Sequence, residues 1–242
     1  MNIGKLTYID TIWNYGFHIL FYIIIMYCII FSMKKILIIL SLCLILFITS
    51  AKASLPLSGK TFILDPGHGG KDSGTSSNNI LEKDINLSIS KVLEQELIKN
   101  GASVIMTRDG DYDLGSPNNE RRKKSDFDNR IDLINNSNAN MYLSIHTNYL
   151  NNTSYYGGQI FYLGNNNKKI AEKIQAQINT LGYAREYKTI PNVYMYRQLK
   201  INGVLVEVGF LSNARERKLL VNENYQKKIS QLIVKGLINY YS

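Results

Sequence analysis

The alternation of short apolar segments with amphipathic segments constrains the fold of this chain more than any other feature. Short apolar runs with the length of strands cover residues 61–65, 103–107, 141–145, 158–163 and 203–208. Between them, residues 82–99 and later segments repeat apolar side chains at helical spacing. Strands that are apolar throughout are typical of parallel sheets with helices on both faces. We therefore predict a single α/β domain with a twisted, mostly parallel sheet and a functional site at the C-terminal ends of its strands.

The N-terminal segment differs in composition from the rest of the chain. Residues 17–31 and 36–48 are apolar, and a polar, basic stretch at 32–35 separates them. Read from Met33, the segment has the basic start, the apolar centre and the small residues before a cleavage point after Ala53 that define a secretory signal peptide. The pattern predicts that translation starts at Met33. The alternative is a two-segment membrane anchor with a tight basic turn in the middle.

We accordingly predict two parts, an N-terminal apolar or signal segment at 1–53 and an exported domain at 54–242. Both cysteines lie in the first part, so the exported domain has no disulfide, thiolate ligand or thiol nucleophile. Four lysines and one aspartate also lie there, which leaves the domain +6 of the chain's net charge of +9. This charge suggests an anionic partner such as a cell-wall polymer or a membrane surface, although solubility alone explains it equally well. No nucleic-acid-binding motif is present.

The exported domain contains two histidines, His68 and His146, and each follows a predicted strand. A lone histidine is more often structural than functional, but two histidines at the same edge of one sheet can converge on a metal ion. Glycines at 67, 69 and 70 let the chain turn tightly and leave space beside His68. The competing interpretation, a glycine loop that cradles phosphate, lacks the spacing of the nucleotide-binding motifs.

Two glutamates are candidates to complete such a site. A catalytic zinc ion usually has three protein ligands, and without cysteine the third is expected to be a carboxylate. Glu82 begins the predicted helix and could turn back toward His68, although an acidic residue there also simply complements the helix dipole. Glu207 lies in an apolar segment where an unpaired charge is costly, so it is either part of a buried ion pair or a general base. No motif for serine catalysis is present.

Taken together, these motifs resemble the zinc-dependent N-acetylmuramoyl-L-alanine amidase family (Amidase_3). The matching stretches are ILDPGHGGKDSG at 63–74, LEKD at 81–84, YLSIHTN at 142–148 and VLVEVGFLSN at 204–213. The resemblance implies a mixed sheet, a zinc ion held by His68, Glu82 and His146, and Glu207 as the catalytic acid and base. It also suggests that Asn148 contacts the substrate. Further stretches resemble the members of the family that act on spore cortex, and they lie at 55–60, 104–111, 121–127 and 225–237.

The resemblance implies an enzyme of the cell envelope that hydrolyses the amide between the lactyl group of muramic acid and L-alanine in peptidoglycan. In spore cortex this cleavage precedes the formation of muramic δ-lactam, which is needed for germination. Membrane association through residues 1–53, and a protein partner that activates or docks the enzyme, are compatible with this role. Two alternatives stay open: a zinc metallopeptidase or deacetylase that acts on another amide, and a catalytically silent envelope-binding protein.

Overall fold

The computed structural model describes residues 4–49, 54–116, 119–190 and 192–242. The chain divides into two compact units, Met1–Ala53 and Ser54–Ser242. The first unit contains one long helix, α1 (Gly4–Thr49). Its stretch Ile19–Leu42 is exposed and is long and apolar enough to cross a membrane. A signal sequence near the N-terminus meets the same criteria of length and composition.

Helix α1 runs without a break through residues 32–35. The tight basic turn of the two-segment alternative is therefore wrong, whereas the signal peptide and the membrane anchor both stay predictions. The physical reason is that this stretch contains neither glycine nor proline, and methionine and lysine are good helix formers. The start at Met33 and the cleavage after Ala53 stay predictions, and Ala53 lies outside the described residues.

The second unit is built around a six-stranded sheet, with a separate two-stranded hairpin. The strands in chain order are β1 (Thr61–Pro66), β2 (Ser76–Ser77), β3 (Ile80–Leu81), β4 (Ser103–Met106), β5 (Met141–Asn148), β6 (Gln159–Tyr162), β7 (Lys188–Thr189) and β8 (Gly203–Phe210). The sheet has the order β4-β1-β5-β8-β6-β7, and β2 pairs with β3 in the hairpin. The strands β4, β1, β5 and β8 are parallel, whereas β6 and β7 run the opposite way.

Helices cover both faces of this sheet. They are α2 (Glu82–Lys99), α3 (Arg122–Asn136), α4 (Asn165–Ile178), α5 (Tyr194–Gln198), α6 (Ala214–Leu220) and α7 (Glu223–Tyr241). Helices α2, α4 and α7 pack on one face, where β1 contributes Phe62 and Leu64. Helices α3 and α5 lie over the other face, where β1 contributes Ile63 and β8 contributes Leu205. Alternate residues of one strand thus enter two cores, which explains why these strands are apolar throughout.

The predicted α/β domain with a mostly parallel, mixed sheet between helices is confirmed. One strand end differs from the prediction. Strand β5 continues past Ile145 to Asn148, so His146 lies inside the strand rather than after it. The extension arises because β5 goes on pairing with β8, where His146 lies opposite Glu207. The short elements β2, β3, β7 and α5 were not predicted, because segments of two to five residues carry no readable periodicity.

Candidate metal centre and active site

The four residues that the sequence singled out meet at one edge of the sheet. His68 follows the end of β1, His146 lies on β5, and Glu207 lies opposite it on β8. These three side chains line the same cleft. Glu82 is the first residue of α2 and contacts both histidines. The site therefore lies where the C-terminal ends of parallel strands were expected to bring it.

Two imidazoles and one carboxylate converge to form a candidate metal centre. Oε1 of Glu82 lies 3.2 Å from Nε2 of His68 and 3.0 Å from Nδ1 of His146. One donor atom from each of the three residues lies within 4.8 Å of the other two. Ligands of a tetrahedral zinc ion, with bonds of about 2.0–2.1 Å, are roughly 3.3 Å apart. The two donor pairs that include Glu82 thus already have nearly the separation that one such ion requires, and the two histidine donors lie within 4.8 Å of each other.

The carboxylate of Glu82 is held from both sides. Its Oε2 accepts hydrogen bonds of 2.9 Å from the backbone N–H and the hydroxyl of Thr75. Its Oε1 accepts weaker ones from the backbone N–H of Thr147, at 3.3 Å, and from Nδ2 of Asn86, at 3.4 Å. The hydroxyl of Thr147 in turn donates to Oδ1 of Asn86 at 3.0 Å. Glu82 is therefore a fixed ligand candidate, and complementing the dipole of α2 is not its only interaction.

Two glycines keep the space around the candidate ligands free. A Cβ atom on Gly67 would overlap the imidazole of His146. A Cβ atom on Gly74 would lie 2.7 Å from both Oε2 of Glu82 and Cδ2 of His68, and the φ angle of Gly74 is 64°. Neither position accepts a side chain without displacing a ligand candidate. The prediction that glycines 67, 69 and 70 leave space beside His68 is therefore wrong in detail: Gly67 makes room for His146, and the space beside His68 comes from Gly74, whereas Gly69 and Gly70 face Arg108, Tyr112 and Asp113.

Two buried arginines hold the backbone of the loop that carries His68. Arg130 donates to the carbonyl oxygens of Pro66, at 3.0 Å, and of His68, at 2.7 Å. Arg108 donates to those of Pro66, at 2.9 Å, and of Gly67, at 3.0 Å. His68 itself has a φ angle of 63°, a conformation that costs a non-glycine residue free energy. The arginine contacts stabilise this loop conformation and so fix the direction of the imidazole.

Buried carboxylates balance the charge of Arg130. Asp65 accepts from Arg130 at 2.7 Å and also from the hydroxyls of Thr107 and Ser144, both at 2.8 Å. Asp126, one turn earlier on α3, accepts from Nε of Arg130 at 2.9 Å. Burial by itself raises the pKa of Asp65, but Arg130 and these hydrogen bonds outweigh burial and hold that pKa below its usual range. The network is fully paired, and such networks are rigid.

The charges around His68 favour a cation. Asp72 Oδ2 lies 3.0 Å from Nδ1 of His68, which leaves Nε2 to face Glu82. Burial opposes a charged imidazole, yet Asp72 and Glu82 outweigh it and raise the pKa of His68 to about 9. Burial also raises the pKa of Glu82, but its contacts with His146 and His68 reverse this and hold it well below the usual range. Glu82 is therefore an anion, and the site carries the negative charge that attracts a metal ion.

Glu207 has the opposite character. Its side chain is partly buried, and its Oε2 is shielded from solvent with no hydrogen-bond partner among the described residues. Burial and the nearby charge of Glu82 raise the pKa of Glu207 to about 8, with a smaller opposing effect of His68. The ion pair with a lysine or arginine, which the sequence left open, is not seen among the described residues. A carboxyl group of this kind can accept and release a proton near neutral pH.

A cavity of about 200 Å³ opens beside the ligand candidates. Its polar end contains His68, His146 and Glu207. Its apolar wall comes from the regions of α3, α5 and β8 and consists of Phe127, Val193, Met195, Tyr196 and Leu205. A few convergent polar groups in an otherwise apolar cleft are typical of an enzyme site, and charges act more strongly there than in water.

The sequence did not single out the supporting residues, which are Asp72, Thr75, Asn86, Arg108 and Arg130. For Arg130 a signal existed. It lies three residues after Phe127 and four before Ile134, so helical spacing puts it on the apolar face of α3. Asn86 likewise lies one turn after Glu82 on α2, where both side chains share a face. For Thr75 and Asp72, which lie in loops, no pattern in the sequence gives their contacts.

Comparisons with known proteins agree with this geometry. The family model for N-acetylmuramoyl-L-alanine amidase matches residues 62–239. The germination-specific N-acetylmuramoyl-L-alanine amidase of Bacillus subtilis (strain 168) is 42% identical over 196 residues, which cover 78% of this chain and 83% of that protein. The probable cell wall amidase LytH of Staphylococcus aureus is 32% identical over 197 residues, which cover 80% of this chain and 62% of LytH.

Solved structures give the same result. The CwlD amidase from Clostridioides difficile, solved in complex with the GerS lipoprotein, has a TM-score of 0.72 and 38% identity, covering 75% of this chain and 98% of that chain. An N-acetylmuramoyl-L-alanine amidase from Clostridium difficile 630 has a TM-score of 0.67 and 31% identity. The match covers 75% of this chain and 96% of that chain. On the sequence match and the shared fold, the chain belongs to the N-acetylmuramoyl-L-alanine amidase family.

Proposed function

We propose that this amidase acts on spore-cortex peptidoglycan with a zinc ion held by His68, Glu82 and His146, and with Glu207 as its catalytic acid and base. The observation that carries the proposal is the convergence of two imidazoles and one carboxylate, with donor atoms within 4.8 Å of one another. Three protein ligands leave a position free for reactants, as in catalytic zinc sites. Glu207 lies opposite His146 on the next strand and lines the same cleft, which supports its role in the proposal.

The donor set fits zinc better than the other common divalent ions. Imidazole nitrogens with one carboxylate suit zinc, whereas magnesium and calcium prefer oxygen ligands. Asp72 beside Nδ1 of His68 is the kind of outer carboxylate that orients a ligating histidine. When bound, zinc supplies a Lewis acid for the scissile carbonyl and favours the ionisation of water. Gly74 leaves space beside His68 and Glu82 that a side chain would otherwise fill.

Glu207 moves the proton in this proposal. The reaction joins the oxygen of water to the lactyl carbonyl carbon and breaks the bond from that carbon to the nitrogen of L-alanine. Glu207 takes a proton from the attacking water and then gives it to the departing amine. A pKa of about 8 before a metal binds means that the carboxyl holds protons readily, and a nearby cation favours its ionised, proton-accepting form. The apolar wall formed by Phe127, Val193 and Met195 restricts bulk water on the other side.

The cellular setting is inferred from relatives. The Bacillus subtilis relative is named as germination-specific, and the Clostridioides difficile relative is a CwlD amidase in complex with a lipoprotein. By analogy, this chain cleaves cortex stems before muramic δ-lactam is formed, and a lipoprotein partner activates or docks it. The spore cortex then is its substrate rather than the vegetative wall.

The N-terminal unit exports the enzyme in this proposal. The apolar stretch Ile19–Leu42 is suited to a membrane, and the amidase domain at 54–242 works outside it. Cleavage after Ala53 would release the domain, whereas an intact N-terminus would keep it anchored. N-terminal sequencing of the protein from the envelope of sporulating cells distinguishes the two, because a released enzyme begins at Ser54.

The test is an activity assay on spore peptidoglycan with zinc measured in the same sample. We expect release of stems with a new L-alanine amino terminus, loss of this activity with a chelator, and its return with zinc. Glu207→Gln should keep zinc and lose about 10²- to 10⁴-fold in activity, whereas His146→Ala should lose both. Glu172→Gln, on the exposed face of α4, is the matched control and should behave like the wild type.

Other results would contradict the proposal in distinct ways. Cleavage of plain peptides or of acetyl groups, without release of stems, would make the enzyme a metallopeptidase or a deacetylase. Tight binding of peptidoglycan with zinc present and no cleavage of any amide would indicate a silent envelope protein. Full activity of Glu207→Gln would show that another group moves the proton.

A further inference from the structure

A second cavity, of about 290 Å³, adjoins the candidate active site on its α3 side. Three cationic and three acidic side chains line it, which are Lys71, Asp72, Asp113, Arg122, Lys123 and Asp126. Asp72 and Asp126 line both cavities, so the two cavities are neighbours. We propose that Lys71 and Lys123, here called the lysine subsite, bind the α-carboxylate of the second stem residue, D-glutamate. This inference rests on the proposed function.

Two of the three carboxylates in the second cavity are already neutralised by the protein. The side chain of Asp113 is buried and pairs with Arg122. Asp126 pairs with Arg130 at 2.9 Å, and the side chains of both are buried. Because each of these two carboxylates already has an arginine partner, they form the wall of the cavity and leave the lysines to meet a ligand.

The two lysines are the cations that are available. Lys123 Nζ lies 3.5 Å from Oδ2 of Asp72, a long contact, and its side chain is 66% exposed. Lys71 is exposed, and its ammonium group has no carboxylate within ion-pair distance among the described residues. Once Asp113 and Asp126 are paired, the two lysines face one remaining carboxylate, Asp72, and this local excess of one positive charge favours an anionic group on the substrate. A zinc ion held as proposed, with Glu82 as its one anionic ligand, would add to this charge.

The position of the lysine subsite fits the first carboxylate of the stem. D-Glutamate follows L-alanine in the peptidoglycan stem and is linked onward through its side chain, so its α-carboxylate is free unless it is amidated. One residue spans roughly 3.5 Å at most, which puts this carboxylate within about 7 Å of the scissile amide. Nδ1 of His68, the ring nitrogen that does not face Glu82, lies 3.0 Å from Oδ2 of Asp72, and Nζ of Lys123 lies 3.5 Å from the same oxygen. A stem that runs from the scissile amide into the second cavity would bring this carboxylate toward Lys123.

The test compares two synthetic muropeptides that differ only in whether the α-carboxyl group of D-glutamate is free or amidated. The enzyme is the zinc-loaded full chain in detergent micelles. We expect kcat/KM to be about tenfold higher for the free acid, mainly through a lower KM, and we expect this preference to shrink in 0.5 M salt. In the double variant Lys71→Ala with Lys123→Ala, the kcat/KM for the acid should fall to that for the amide. The double variant with arginine at both positions should keep the preference.

The matched control is the double variant Lys168→Ala with Lys169→Ala. Both lysines are exposed in the first turn of α4. That turn follows β6, and the last residue of β6, Tyr162, pairs with Val204 near the start of β8. The two lysines therefore lie toward the N-terminal end of β8, whereas Glu207 lies toward its C-terminal end. The control should keep the preference for the acid, because its charge loss equals that of the alanine variant while its location differs.

Each outcome decides a different question. Equal kcat/KM for the acid and the amide in the wild type overturns the lysine subsite and leaves the amidase function standing. A preference that persists in the alanine variant also overturns it, since other groups must then recognise the carboxylate. Failure of the zinc-loaded wild type to cleave either muropeptide overturns the proposed function, and the lysine subsite with it.

Discussion

The raised pKa of Glu207 predicts that Glu207→Gln stabilises the metal-free amidase domain at alkaline pH and not at acidic pH. The pKa rises from 4.5 to about 8 because burial and the charge of Glu82 disfavour the carboxylate in the folded state. Below about pH 4.5 the group is neutral in the folded and unfolded chains, so it costs no stability. As pH rises toward 8, the unfolded chain loses the proton first, and the folded state becomes relatively less stable. Glutamine stays neutral and avoids this loss.

The size of the effect follows from the shift. One pKa unit corresponds to about 1.36 kcal/mol, so a pKa raised from 4.5 to about 8 gives an upper bound of about 5 kcal/mol above pH 8. Because the side chain is only partly buried, solvent reduces this penalty, and we expect about 2 kcal/mol. For a domain of this size that free energy corresponds to a melting temperature about 4–8 °C higher for the variant at pH 9.

Thermal unfolding of residues 54–242 in a chelator, followed by far-UV circular dichroism, measures the difference. The only tryptophan of the chain is Trp13, so tryptophan fluorescence does not report on this unit. The difference between wild type and Glu207→Gln should be near zero at pH 4 and should grow to its full value by pH 9. Glu172→Gln should show no such growth. An equal gain for Glu207→Gln at both pH values would refute the reasoning, because packing rather than ionisation would then explain it.

Further perturbations test the structure around the metal centre. Gly74→Ala should weaken zinc affinity at least tenfold in a zinc titration, because its Cβ would lie 2.7 Å from Oε2 of Glu82. Gly59→Ala is the control and should bind zinc normally, since Gly59 has a similar φ of 74° and open space around it. Arg130→Leu should lower the free energy of unfolding by about 3–5 kcal/mol in urea denaturation, because Asp65 is left buried without its cation. Adding Asp65→Asn to this variant should recover part of the lost stability. Zinc at 100 times its dissociation constant should raise the free energy of unfolding by about 2.7 kcal/mol, and no effect on melting would contradict binding to the folded state.

Most of the architecture was predictable because long elements carry a clear pattern. Helix α2 begins at Glu82 and ends at Lys99, as its apolar spacing and the following Asn-Gly predicted. The core strands were found because these apolar runs are short and are bounded by turn residues, such as Pro66-Gly67 after the first run. The end of β5 was predicted too early, since Thr147 and Asn148 are polar and look like loop residues. Their pairing with β8 is a tertiary effect that the local sequence does not contain.

The sequence predicted the candidate ligands and the candidate acid and base, but not the residues that hold them in place. Histidines in glycine-rich or strand-end positions, and a glutamate within an apolar segment, are unusual enough to notice. Thr75 donates hydrogen bonds to Glu82 from a loop. Arg108 donates to the carbonyl oxygen of Pro66, which is distant from it in sequence. Such contacts depend on how strands and loops meet in space, and a charged loop residue looks the same in sequence whether it is buried or exposed.

The separation of the ligand candidates along the chain has a consequence for the lifetime of the protein. Glu82 and His146 are 64 residues apart, so an ion held by both cross-links distant parts of the chain. Cross-links of long loops restrict the unfolded chain strongly, and many exported proteins use disulfides for this purpose. Residues 54–242 contain no cysteine, so under the proposed function the ion would be a cross-link of this unit that no disulfide supplies. A metal cross-link, unlike a disulfide, comes and goes with the free metal concentration, so we expect zinc supply to control resistance to proteases as well as activity.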